Sequence, residues 1–180
     1  MLGEQDLSNA SFHDRTSDPE SAKLDRVLHG TDLSSEARMH LILAARRQII
    51  DRQIIPSLRQ NDVTITDRYY PCTVAYQAYG EGLDHELVAK AAVNAAHGAI
   101  PEKIFVLDVP AEVAVERMTA RGEAQQIFDD EQLSFHGRVR HGYLEQARAD
   151  RGRFEVIDGL APRHEVAAMI ADIINSDLRG

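Results

Sequence analysis

At 180 residues and 43% hydrophobic, the chain has the length of one domain with a full core, and 6% aromatic content makes that core mainly aliphatic. A net charge of −9 argues against a general nucleic-acid binder, and a single cysteine, Cys72, excludes an internal disulfide framework. No apolar run approaches a membrane span and the N-terminus is no signal peptide, so a cytoplasmic address is the expectation. Arg greatly outnumbers Lys, which occurs only at Lys23, Lys90 and Lys103. Arg is the better bidentate phosphate ligand, although GC-rich coding gives the same bias.

Taken in order, the first thirty residues are polar, with Asp18-Pro19 as a turn signal and no clean periodicity. Residues 1–15 are expected to be disordered and poor strand material. A short helix over Lys23 to His29 is ended by Gly30. Ser34 is a candidate N-cap, with Ser35-Glu36 in the first turn. Leu41, Ala45 and Ile49 recur at helical spacing beside Ile42, which predicts a helix to about Ile50. A second helix follows over about Gln53 to Gln60, with Pro56 near its start.

Val63-Thr64-Ile65-Thr66 is β-branched throughout and reads as a short strand. It stops at Asp67-Arg68, and in open parallel sheets ligands bind outside the carboxyl ends of strands. Tyr69, Tyr70, Tyr76 and Tyr79 follow, four of the chain's five tyrosines. A tyrosine offers a flat apolar face and a polar tip, which suits a base or a sugar. Thr73 and Gln77, four apart, share a helix face, and Gly80 and Gly82 end that helix. The plainer alternative is a buried strand, an Asp helix cap and a tyrosine cluster packed in the core.

Asp84 caps the next helix, with Leu87, Ala91 and Ala95 on one face, ending near Gly98. Ile104-Phe105-Val106-Leu107 is a continuous apolar run, as expected of a strand covered on both faces, and it ends at Asp108. Pro110 starts a helix that Arg121-Gly122-Glu123 ends. Residues 125–130 are short and polar. Leu133 to about Asp150 is a long helix carrying Arg138 and Arg140. Phe154 to Ile157 is a last strand turned by Asp158-Gly159, and Val166 to Ile174 a closing amphipathic helix. The order β-α-α-β-α-β implies a three-layer α/β/α domain with a parallel sheet.

Asp67-Arg68-Tyr69, Ala75-Tyr76-Gln77 and Gly80-x-Gly82-Leu83 together resemble the thymidylate kinase signature D-R-Y/F followed by A-Y-Q-G-x-G-R-G-L. The similarity runs from about Thr16 to Ile174. Thr16-Ser17-Asp18-Pro19 sits where the family has T-R-E-P, Ile104 to Asp108 resembles F-L-L-D, and Arg121-Gly122-Glu123 resembles R-G-E before the lid. Phe135 to Tyr143 resembles F-x-x-R-V-R-x-G-Y. The resemblance implies a P-loop-kinase-like domain over residues 16–180 that transfers phosphate from ATP, with Mg2+, to dTMP on the route to dTTP. It also implies a homodimer associating through helices, and the apolar face of the helix from Ser34 to Ile50 is a candidate for that. By the same resemblance Arg68 holds the dTMP phosphate. Asp67 orders magnesium-bound water or that arginine. Arg47 reaches the thymine, Thr73 lies near the base edge, and Tyr76 and Gln77 lie near the sugar.

The departures from the family pattern concern charge. No G-x-x-x-x-G-K-[ST] loop occurs in the sequence, and that loop supplies the N–H cradle and lysine for ATP phosphates. Only 15 residues precede Thr16, too few for the family's strand, loop, helix and second strand, so an N-terminally truncated sheet is expected. Ser17 and Asp18 replace the Arg and Glu of T-R-E-P. Glu81 replaces the Arg of G-R-G-L, and Gln126 stands at the lid arginine. Leu43 and Arg46 replace the Phe and Asp of F-A-A-D-R. The expectation is a dTMP kinase domain inactive by itself, or alternatively a non-catalytic nucleotide-binding or interaction protein on the same scaffold. Without the central strand, the strands over Val63–Thr66 and Ile104–Asp108 are expected to pair directly or through a partner chain. An unrelated α/β domain, lacking an Asp67–Arg68–Tyr76 cluster, is the third possibility.

Overall fold

The first strand lies in the segment expected to be disordered. In the computed structural model, which describes residues 7–122 and 130–178, Asn9–His13 forms β1. It pairs in parallel with β2 (Val63–Asp67), Asn9 opposite Val63 and His13 opposite Asp67. Only Phe12 in β1 is a strong strand former, so local propensity does not make this strand. The ladder does, helped by a clamp at its start. The Ser8 amide and hydroxyl donate to Asp62 Oδ2 at 3.0 and 2.8 Å, and the amides of Asp62 and Val63 donate to the Ser8 carbonyl. The Ser8 bonds hold the Asp62 carboxyl below its ordinary value.

Two compact units divide the chain, Glu4–Ile100 and one containing Pro101–Gly180. In the first, α1 (Pro19–Gly30) starts four residues before the expected Lys23. Asp18 is the reason: its buried Oδ1 accepts from the amides of Glu20 and Ser21, with Pro19 in the first helical position. Ser34 caps α2 (Ser35–Ile49) through the Ala37 amide. α2 packs on α1 and on α5 (His85–Ala95), which Asp84 caps. Met39 and Ile49 are fully buried, and Ile42 and Leu43 nearly so. Most of that apolar face is therefore filled from within the unit. Each such side chain contributes about 1.5–3 kcal/mol on burial.

α2 does not stop at Ile49. It widens into a π-helical turn, Ile50–Ile54, before α3 (Ile55–Leu58), which carries Pro56 at its start. The same occurs after β2. α4 (Tyr70–Thr73) runs into a π-helical segment, Val74–Gly80, closed by the Glu81 amide donating to the Tyr76 carbonyl at 2.8 Å. Such wide turns are frequent at functional sites.

The second unit holds β3 (Ile104–Asp108), α6 (Ala111–Ala120), α7 (Asp130–Ala149), β4 (Phe154–Asp158) and α8 (Arg163–Asp177). β3 and β4 pair in parallel. Leu107 and Val156 are about half exposed, at 51% and 49%, so β3 is not covered on both faces as its apolar run predicted. Among the described residues β2 pairs with β1 and β3 with β4. Gly159 lets the turn after β4 lie against β3: an added Cβ would sit 2.7 Å from Val109 Cγ1 and 3.0 Å from the Asp108 carbonyl oxygen. No described helix is long and apolar enough to cross a membrane.

At the end of β3, Arg140 forks onto Asp108, Nε to Oδ1 at 2.6 Å and Nη2 to Oδ2 at 2.8 Å. These hydrogen bonds, against the opposing effect of burial, hold the Asp108 carboxyl below its ordinary value. A carboxyl depressed by folding stabilises the fold above its unfolded pKa, near 3.8, and loses that contribution as pH falls through the lower folded value. Arg140→Gln is expected to return the Asp108 pKa to the ordinary range in a carbon-detected NMR titration. An unchanged Asp108 curve would show that the fork does not form in solution.

Candidate functional site

The residues singled out in the sequence lie in the first unit, in three kinds of surroundings. The first is the turn after β2. Asp67 and Arg68 are both exposed at the carboxyl end of the strand. Arg68 has φ +68°, in the left-handed region, which costs a side-chain-bearing residue about 1–2 kcal/mol. Its guanidinium carbon lies 5.8 Å from the ring centroid of half-buried Tyr76. A contact of this kind contributes roughly 0.5–1 kcal/mol at an exposed site. The cation is thus held against a ring at the exposed strand end. Asp67 lies 3.8 Å from His13 Nε2 across the ladder.

The second environment is buried. Thr73 is 1% exposed, and its hydroxyl accepts a 2.6 Å bond from Arg46 Nη1. Arg46 Nε lies 3.1 and 3.2 Å from the two Asp14 oxygens, and Nη2 donates to Asp14 Oδ2 at 2.6 Å. Burial works against this charged guanidinium. The charge and hydrogen bonds of Asp14 outweigh it, with smaller help from Cys72 and Tyr69, and raise the Arg46 pKa. Tyr69 and Tyr70 are buried and meet edge to face, ring centroids 5.6 Å apart. The Tyr69 hydroxyl donates to the Ala99 carbonyl, and burial pushes its phenol well up. These two tyrosines are core, as the plainer alternative held. Gln77 is buried too and donates to Glu81 Oε1 at 3.3 Å. Glu81 lies 3.8 Å from Arg38 Nε.

The third environment is an open groove of about 890 Å3 between α2 and α5. Leu43 and Arg47 line it with Leu87, Lys90 and Ala91. Arg47 donates to Asp51 Oδ2 at 2.8 Å on the solvent side of α2. The structure therefore joins Arg68 to Tyr76, Thr73 to Arg46 and Gln77 to Glu81, and turns Arg47 to Asp51. The Asp14–Arg46 pair that meets Thr73 was not among the sequence expectations. Asp14 gave no signal, being in a polar segment. Arg46 gave one: four residues after Ile42 and three before Ile49, it falls on the buried face of α2. Gln126 lies outside the described residues.

A family model described as thymidylate kinase matches residues 8–170, running through both units. The chain belongs to the thymidylate kinase family. Thymidylate kinase from Carboxydothermus hydrogenoformans is 40% identical over 131 residues, 73% of this chain and 63% of that protein's length. The Nitratidesulfovibrio vulgaris thymidylate kinase is 33% identical over 176 residues, 91% of this chain and 79% of that protein. A crystal structure of thymidylate kinase from Ehrlichia chaffeensis superposes with a TM-score of 0.70 at 25% identity, covering 91% of this chain and 80% of that one. The helix-rich architecture with parallel strands is thus the α/β fold of thymidylate kinases.

Proposed function

We propose that the turn Asp67–Arg68 binds the phosphate of thymidine monophosphate, and that this chain by itself does not transfer phosphate to it. The observation that carries the first part is Arg68. A cation stands at the carboxyl end of a parallel strand, held in a left-handed conformation against Tyr76, in a thymidylate kinase family chain. Asp67 lies beside it as the group to order the arginine or a hydrated Mg2+. Tyr76, half-buried, is the side chain placed to meet the sugar. Thr73 and Gln77 are buried and engaged, so they support the contact surface from below.

ATP and Mg2+ are the cosubstrate and ion that the family implies. The residues of this chain do not fit the phosphates of ATP. The G-x-x-x-x-G-K-[ST] pattern is not in the 180 residues, and each lysine is engaged by a carboxylate. Lys23 pairs with Glu20, Lys90 with Glu86, and Lys103 with Glu155 and Asp177. Phosphoryl transfer depends on positioning and charge neutralisation at the transferred group.

Titration calorimetry with dTMP and with Mg-ATP separately tests both parts. The expected result is weak dTMP binding that Arg68→Ala reduces about tenfold, since a charge-assisted bond contributes roughly 1.5–3 kcal/mol and exposure favours the low end. Binding of dTMP unaffected by Arg68→Ala overturns the assignment. Efficient formation of dTDP by the pure chain overturns the second part.

A further inference from the structure

We propose that the buried Asp14–Arg46 pair is a positioning device for the phosphate-binding turn, an inference that rests on the dTMP-binding reading above. Arg46 is the largest fully buried side chain among the described residues, and Asp14 is 3% exposed. The guanidinium forks onto the Asp14 carboxylate and donates its remaining arm to Thr73. Asp14 also donates its amide to the Asp67 carbonyl at 3.0 Å. Both ends of the segment from Asp67 to Thr73 are therefore tied to one guanidinium, Asp67 through Asp14 and Thr73 directly. Arg68, in its left-handed conformation, lies between the two ties. A strained residue persists when its surroundings over-determine it, and the two ties are such surroundings.

Stability is a poor reason for the pair. Well-packed apolar replacements of buried ion pairs are often neutral or stabilising. Net charge is a poor reason too, because Asp14 neutralises Arg46 and leaves little field for a phosphate. Geometry remains. Arg46 and Asp14, both buried, touch no substrate. They act through Arg68, which distinguishes them from Arg68 itself in salt dependence. Removing Arg68 removes a phosphate contact and flattens the salt dependence of binding. Removing the clamp weakens binding and leaves that slope in place.

The experiment compares wild type, Arg68→Ala, the apolar triple variant Asp14→Leu/Arg46→Met/Thr73→Val, and the charge swap Asp14→Arg/Arg46→Asp. Calorimetry with dTMP at several salt concentrations is paired with amide hydrogen exchange without ligand. The triple variant is expected to melt cooperatively, to bind dTMP about tenfold more weakly with the wild-type salt slope, and to exchange the Asp14 and Cys72 amides faster. The charge swap is expected to recover part of both. A triple variant with wild-type affinity and wild-type exchange overturns the proposal. If wild type binds no dTMP, the proposed function fails, and the exchange rates alone still decide the clamp: unchanged rates overturn it. Should the triple variant not fold, Arg46→Lys, which keeps the charge and loses the fork, is read by the same measurements against the same outcomes.

Discussion

Arg46→Ala is expected to lower the unfolding free energy by about 3–5 kcal/mol. The loss does not come from the attraction itself, which desolvation of both ions largely cancels. It comes from what remains. The Asp14 side chain is 2% exposed, so the truncated protein would bury a carboxylate with no cation, and the Thr73 hydroxyl would lose its donor. Against a total stability of roughly 5–15 kcal/mol, this leaves a chain near the edge of folding. Urea unfolding followed by circular dichroism measures it as a drop in midpoint at constant slope. A drop below about 1 kcal/mol, the range of exposed pairs, would mean that water reaches the pair in solution. The surface pair Arg47–Asp51, with both side chains at least 40% exposed, is the internal control: Arg47→Ala is expected to change stability by under about 1 kcal/mol.

Met39→Ala is the second large effect, expected at about 2–5 kcal/mol. Met39 is fully buried on α2, a helix that packs on α1 and α5. Truncation removes its transfer free energy and leaves a cavity that the packed helices do not fill. Leu58, 54% exposed, is the contrast: Leu58→Ala is expected within about 0.5 kcal/mol of wild type. Equal effects at the two positions, in the same urea titration, would contradict the packing of α1 on α2.

Much of the local structure is legible in the sequence. Ser34 and Asp84 cap their helices as Ser and Asp before an apolar-periodic run should. β2, β3 and β4 follow from short β-branched or apolar runs ending in an acid. The Arg68–Tyr76 contact follows from a strand end feeding a helical turn. All of these depend on residues within about two turns of one another, where spacing and propensity are informative.

The sequence by itself determined the family, through motifs in the right order, and with it the fold class and the cation at the end of β2. Only the tertiary structure decided β1, because Asn9–His13 becomes a strand through ladder bonds to residues 54 positions away. Propensity cannot report a partner that distant. Only the tertiary structure decided that Arg46 meets Thr73 while Arg47 turns to Asp51. An arginine on the apolar face of a helix is tolerable only if a carboxylate is waiting there, and Asp14 comes from 32 residues upstream. Local pattern shows that Arg46 points inward. Which charge meets it, and which turn it then holds, is settled by chain segments that are brought together only on folding.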